Sequence, residues 1–170
     1  PGGGLNTRGD ARPDFLGITP GTVKVDVVMP HKKDDGLDSI KIYNTSINLA
    51  AGKTYTLHVT DTGKLMKSVL TEEDFFKPDS GFARYRFINL IPNMPLIAGV
   101  DEGLDLYYGQ SATVHNADKK MASKIKYLES SEYFILNRAA LRTWKIRASN
   151  SPLPLTTATV VASYTNATTT

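Results

Sequence analysis

The sequence predicts an all-β protein built from antiparallel β-sandwich domains. Short stretches alternate apolar and polar residues, as in "TVKVDVVMP" (22–30) and "ARYRFINLIPNMP" (83–95), and such alternation is typical of half-buried strands. Glycine, proline and polar turn residues separate these stretches at intervals of about 8–12 residues, the spacing found in sandwiches. The one stretch with helical spacing, residues 116–136, is interrupted by paired serines. Roughly nine to twelve short strands are therefore expected.

The first half of the chain contains four or five of these strands. Residues 1–14 are glycine-rich and polar, and we expect a flexible lead-in there. Strands are predicted at residues 22–30, 39–44 and 46–61, the last divided by a turn at residues 51–53, and another is predicted at residues 64–70. The stretch "TEEDFFKPDSG" (71–81) is acidic, contains Pro78 and ends in Gly81. These features favour a domain junction.

The second half opens with the strand at residue 83, in which Arg84 and Arg86 share one face and Tyr85 and Phe87 the other. Residues 104–108 predict a short strand closed by glycine. Residues 116–136 fit either strands or a short helix, and the β-rich "EYFIL" favours strands. Strands at residues 142–149 and 156–164 complete the chain.

A similarity between two stretches of the sequence supports two domains in tandem. "GTVKVDV" (21–27) is similar to "RTWKIRA" (142–148), but the two copies are cut at different places. We therefore predict a first sandwich at residues 15–77 that lacks its early strands. A second, at residues 78–170, lacks its last strand. Truncation explains this pattern, and strand exchange between subunits is the alternative.

Several of these stretches together resemble a known family. "ARYRFINLIPNMP", "DLYYG", "SSEYFIL" and "TWKIR", with "GTVKVDV" and "AGKTYTLHV" in the first half, are similar to the domain of unknown function 4397. The resemblance implies immunoglobulin-like or transthyretin-like sandwiches in tandem and brings no activity. It also implies a surface lipoprotein of Bacteroidetes, located at the bacterial cell surface or in the periplasm and anchored by a lipid on an upstream cysteine.

Composition excludes several function classes. The 170 residues contain no cysteine, so disulfides and zinc–thiolate sites are absent. The net charge of +3 is small and scattered, which argues against nucleic-acid binding. No stretch approaches the roughly 18 apolar residues of a membrane helix. No cofactor-binding motif is present.

Candidate binding residues fall into two sets. Asp34 and Asp38, and likewise Asp101 and Asp105, flank a glycine turn in the pattern Asp-acidic-Gly-Leu-Asp, and such carboxylates can hold calcium; solvated turns are the alternative. Tyr107, Tyr108 and Trp144 are candidates for stacking on a sugar, and filling the core is the alternative. His58 is predicted to face solvent, since it lies between Leu57 and Val59.

No nucleophile, base and oxyanion site can be assembled from the sequence, so no catalytic residue is assigned and the protein is predicted not to be an enzyme. We expect a binding or adhesion module that recognises glycan or protein. The alternative is a structural spacer or assembly subunit without a ligand of its own.

Overall fold

The computed structural model describes residues 15–29, 40–92, 103–137, 142–149, 151, 155–156 and 160–166. The chain divides into two compact units, Pro1–Tyr55 and Thr56–Thr170. The predicted domains, residues 15–77 and 78–170, are a different division and stay a prediction. Within the described residues the regular structure consists of strands and a single 3-10 turn, Gly63–Leu65. The all-β prediction is confirmed.

The first unit contains one antiparallel hairpin, formed by β1 (Gly21–Met29) and β2 (Ile40–Leu49). Val23 faces Ile47 and Val25 faces Thr45 across the two strands, and these side chains are half-buried while their neighbours are exposed. The predicted alternation is therefore present. A bulge after Val27 shifts the register of the last two pairs.

The second unit contains two facing sheets. The larger sheet is antiparallel throughout and has the order β10-β9-β6-β7. Its strands are β6 (Leu104–Gly109), β7 (Lys119–Ile125), β9 (Arg142–Ala148) and β10 (Val160–Asn166). The smaller sheet pairs β5 (Phe82–Tyr85) with β8 (Phe134–Asn137). A further pair joins β3 (Thr54–Thr60), in which the boundary between the units falls, to β4 (Lys67–Glu73).

Aromatic contacts hold the two facing sheets together. The ring centroid of Trp144 lies 5.3 Å from that of Tyr85 and 6.0 Å from that of Phe134, and both of these rings belong to the smaller sheet. Leu106, on the larger sheet, belongs to the buried cluster, and Phe87 packs against it. Tyr85 and Phe87 thus face the core, as their alternation with the arginines predicts. The result is a two-layer sandwich.

The region with two alternatives, residues 116–136, contains strands. β7 ends at Ile125, a turn follows, and β8 begins at Phe134. Asn89 is buried inside this turn. Its side-chain NH2 group donates to the backbone carbonyl of Ile125 at 3.0 Å, and its backbone carbonyl accepts from the backbone amide of Leu128 at 2.8 Å. The asparagine that follows the arginine-rich strand is therefore a structural residue that holds the β7–β8 turn.

Candidate functional site

The structure separates the three aromatic residues that were predicted to stack on a sugar. Tyr108 and Trp144 lie on the core face of the larger sheet, with ring centroids 4.7 Å apart. Tyr107 is buried on the opposite face, where the guanidinium of Arg147 lies 5.6 Å from its ring centre. Tyr107 is buried and Tyr108 is half-buried, so neither ring is freely exposed to solvent. The three rings do not form one surface, because neighbours in a strand point to opposite faces.

An apolar groove opens between the two facing sheets. Its volume is about 260 Å³, and its lining includes Tyr85, Leu106, Phe134, Trp144, Ile146 and Tyr164. Tyr164 stands at the rim on β10 with 67% of its surface exposed. Few polar groups reach this space; Arg86 and Ser163 are the polar residues besides the tyrosines. The apolar groove therefore suits apolar side chains better than a hydroxylated ligand.

The two outer strands of the larger sheet differ in charge. β7 carries Lys119, Lys120 and Lys124, and its pairing with β6 shifts register twice. β10, with the sequence VVASYTN, carries no charged residue. Lysines and bulges are the usual means by which proteins prevent a sheet edge from pairing with another chain. Of these two strands, β7 has both lysines and register shifts, whereas β10 has no charged residue.

The opposite face of the larger sheet holds a buried ion cluster, consisting of His115, Asp118, Lys145 and Arg147. Lys145 Nζ lies 2.7 Å and 2.9 Å from the two carboxylate oxygens of Asp118, and Arg147 Nη2 lies 3.5 Å from Oδ2. The side chains of Lys145 and Arg147 are 0% exposed. A buried cation requires such partners because leaving water is expensive.

His115 joins this cluster as an acceptor. Its Nδ1 lies 3.0 Å from Lys145 Nζ and 3.0 Å from Arg147 Nη2. Ammonium and guanidinium groups can only donate hydrogen bonds, so Nδ1 is the acceptor in both contacts. Lys145 also donates to the carbonyl of Val114 at 2.7 Å. The cluster thus fastens residues 114–118, which lie between β6 and β7, onto the sheet.

Of the four predicted calcium ligands, only Asp105 lies within the described residues. It forms an ion pair with Lys120, and its Oδ1 accepts hydrogen bonds from Ser149 and from the amide of Lys124 at 2.8 and 2.9 Å. Burial raises the pKa of Asp105, but the bonds from Lys120, Lys124 and Ser149 outweigh burial and leave the pKa below its usual value. Conversely, the hydrogen bond to Asp105 raises the pKa of Lys120.

Asp34, Asp38 and Asp101 lie outside the residues that the structure describes, so the calcium prediction stays a prediction. Within the described part of the chain, no group of three or more histidine or carboxylate side chains is placed to hold a metal ion. No helix there is long and apolar enough to cross a bilayer.

A third polar network links β4 to the residues that directly follow β5 and precede β8. Glu73 accepts hydrogen bonds from Arg86 at 2.8 Å and from the hydroxyl of Tyr133 at 2.8 Å. Burial alone raises the pKa of Glu73, but hydrogen bonds, including those from Thr56 and Tyr133, and the charge of Arg86 lower it below its usual value. Burial and the hydrogen bond to Glu73 raise the pKa of Tyr133.

His58 adjoins this network, and the prediction that it faces solvent is wrong. Its Nε2 lies 3.1 Å from the hydroxyl of Thr71, and its side chain is half-buried. Burial is the main reason why the pKa of His58 is lowered. The opposite side of β3 is half-buried as well. In this strand the alternation of polar and apolar residues therefore does not identify a solvent-exposed face.

The fold and these sites define a class: an all-β sandwich with an apolar groove and buried ionic contacts. Residues 9–98 match the family described as Domain of unknown function (DUF4397), which is more than half of the chain, and the chain belongs to this family. The family that the sequence motifs indicated is thereby confirmed, while the tandem arrangement and the surface-lipoprotein setting stay predictions. The matched family is described only as a domain of unknown function, so the match assigns no catalytic activity. No curated protein and no solved structure matches the chain significantly.

Sequence reasoning missed the residues of the buried ion cluster. His115 and Asp118 are separated from Lys145 and Arg147 by about thirty positions, and no motif has this spacing. One signal was present, however: Gly109 closes the "DLYYG" strand, and a Cβ at this position would collide with Asp118 Oδ1. A glycine inside a strand often marks a close approach of another chain segment.

Proposed function

We propose that the protein is a non-enzymatic binding and assembly module that pairs β10 with a β-strand of a second copy of the chain. The observation that carries this proposal is the uncharged edge of β10 beside the apolar groove. Strand addition joins two polypeptides through backbone hydrogen bonds, while alternate side chains enter adjacent pockets. An edge strand and an apolar groove are the two parts that this mode of binding requires.

A second copy is the favoured partner because self-pairing of β10 encounters no like charges. The same pairing at β7 would bring Lys119 and Lys124 near their counterparts, and such contacts destabilise an interface. An antiparallel pair of identical strands is also the simplest twofold-symmetric contact. The larger sheet would then continue from one subunit into the next.

The apolar groove supports protein rather than glycan as the partner at this place. A sugar presents hydroxyl groups on most sides, and each buried hydroxyl requires a hydrogen-bond partner. The lining offers the guanidinium of Arg86 and few other polar groups. Apolar side chains of an added strand need no such partners. The setting that we propose, the bacterial surface or periplasm, rests on the family resemblance alone.

Light scattering and sedimentation over a range of protein concentrations test this proposal. We expect a monomer–dimer equilibrium, and Tyr164→Lys should abolish the dimer by placing a charge at the rim of the apolar groove. Leu65→Lys is the matched control, because Leu65 is 68% exposed against 67% for Tyr164. Leu65→Lys should leave dimerisation unchanged.

Two results would overturn the proposal. One is a clean monomer at the highest concentration reached. The other is a dimer that Tyr164→Lys leaves intact while amide hydrogen exchange shows no added protection of β10. Tyr164→Phe keeps the ring and should dimerise like the parent protein.

A further inference from the structure

Three phenylalanines surround a second, larger depression in the second unit. Phe75, Phe76 and Phe82 are 65%, 62% and 42% exposed. They line a cleft of about 750 Å³, here called the phenylalanine cleft, which residues 73–84 form together with Tyr133. A single exposed apolar residue is ordinary, but several large ones around one depression mark a binding surface.

A network of ionic contacts holds the segment that displays two of these rings. Arg84 donates from Nη1 to the backbone carbonyl of Asp74 at 2.9 Å and from Nη2 to its carboxylate at 2.8 Å. The other carboxylate oxygen of Asp74 accepts the amide of Phe76 at 3.0 Å. The Arg84 guanidinium also lies 3.8 Å from the ring centre of Tyr133 and 5.7 Å from that of Phe76. The aromatic surface is therefore held in position before any ligand binds.

The lining of the phenylalanine cleft has the mixed chemistry that a saccharide requires. A sugar ring has one apolar face of C–H groups and a rim of hydroxyls. Flat aromatic rings suit the face, while charged and planar side chains suit the hydroxyls. Phe75 and Phe76 supply rings here, and Asp79 and Arg84 supply polar groups. The apolar groove, in contrast, lacks this balance.

The charges of the cleft narrow the class of ligand. Three carboxylates line it, those of Glu73, Asp74 and Asp79, together with the two cations of Lys77 and Arg84, and Glu73 is also paired with Arg86 at 2.8 Å. The charges therefore balance, so the cleft has no excess of positive charge to attract anionic ligands, which include uronic-acid polymers and the headgroups of anionic lipids. We propose that the phenylalanine cleft binds a neutral saccharide, whose ring stacks on Phe75 and Phe76 and whose hydroxyls bond to the charged side chains.

The test begins with an array of neutral and acidic oligosaccharides. The best neutral oligosaccharide on the array is then titrated calorimetrically into the parent protein and into the double variant Phe75→Leu, Phe76→Leu. Leucine keeps an apolar side chain but removes the flat ring, so we expect affinity to fall about tenfold or more. Phe15→Leu, at a phenylalanine that is 57% exposed in the first unit, is the matched control and should bind like the parent protein.

Each other outcome overturns the proposal. Absence of binding to every neutral saccharide excludes the ligand class, and unchanged affinity in the double variant excludes the site. Preference for acidic saccharides or for vesicles of anionic lipid contradicts the charge argument. Because all three substituted side chains are exposed, thermal unfolding should show that every variant folds. Tyr164→Lys should leave saccharide binding intact, so this inference and the proposed assembly can fail separately.

Discussion

The two faces of the larger sheet are both covered, but by opposite chemistry. On β9, Trp144 and Ile146 point to the aromatic core, while Lys145 and Arg147 point to the buried ion cluster. Two adjacent residues of one strand thus lie in an apolar and an ionic interior. Alternation along a strand separates side chains into two sets, and what covers each face decides whether that set meets water.

These two interiors should respond differently to substitution. An aromatic core is held by many weak contacts, so a small change of volume is partly absorbed by its neighbours. A buried ion cluster depends on a few partners, and removing one of them leaves an uncompensated charge out of water. We therefore expect a conservative substitution to lower the free energy of unfolding more on the ionic face than on the aromatic face.

The largest effect is expected from Asp118→Asn. The substitution keeps the size of the side chain but removes the carboxylate that pairs with both Lys145 and Arg147. Loss of one partner from a buried ion pair destabilises a protein by about 3–5 kcal/mol. Chemical denaturation of the parent and variant measures this difference.

Asp26→Asn is the control for this prediction. Asp26 pairs with Lys41 at 2.7 Å, the distance that also separates Lys145 from Asp118, but both partners are about half exposed. An exposed pair contributes about 0–1 kcal/mol. Equal effects of the two substitutions would show that burial does not decide the stability of the ion cluster.

Gly109→Ala should have the second largest effect. Its Cβ would collide with Asp118 Oδ1 and lie 3.2 Å from Lys145 Nζ, so the salt bridge must move. Overpacking of this kind destabilises by about 1–3 kcal/mol. Thermal unfolding monitors the change, and Gly17→Ala is the control, since nothing lies within 4 Å of a Cβ there. An unchanged melting temperature for Gly109→Ala would contradict the packing of residues 114–118 on the sheet.

On the aromatic face, Ile146→Val should have a smaller effect. Ile146 lines the apolar groove and packs against the core, and removing one methylene from such a site destabilises by about 0.5–1.5 kcal/mol. Ile42→Val, at an isoleucine that is 41% exposed, should be close to neutral. If Ile146→Val lowered the stability as much as Asp118→Asn, the two faces would not differ in their sensitivity to substitution.

The smallest effect concerns the partly exposed network of Glu73. Because its pKa in the folded state lies below the usual value, the folded protein binds fewer protons than the unfolded chain in the acid range. The contribution of Glu73 to stability is therefore complete above the unfolded pKa of about 4.3 and is lost as pH falls through the folded value. Glu73→Gln should flatten this part of the pH–stability curve.

Glu132→Gln, at an exposed glutamate, is the control for the pH experiment. Its curve should run parallel to that of the parent protein. If Glu73→Gln shows the same acid dependence as the parent, the hydrogen bonds from Tyr133 and Arg86 do not favour the charged carboxylate as the geometry indicates.

Much of the fold was visible in the sequence because strand alternation is a local property. The alternating stretches became β1, β2, β5 and β9, the short strand predicted at residues 104–108 became β6, and the β-rich "EYFIL" correctly favoured strands over a helix. The pairing of β5 with β8 was not visible, since the partners are about fifty residues apart. The signal for the phenylalanine cleft, the pair Phe75–Phe76, was present in the acidic stretch but was used only to mark a junction.

The sequence by itself determined which side chains share a face of a strand: Trp144 had to lie opposite Lys145. The tertiary structure decided that neither face of β9 is exposed to solvent, because the smaller sheet covers one side and residues 114–118 cover the other. Burial depends on segments distant in the chain, and no local pattern specifies it. For the same reason only the fold could cover both Tyr107 and Tyr108 and bring Asp118 to Lys145.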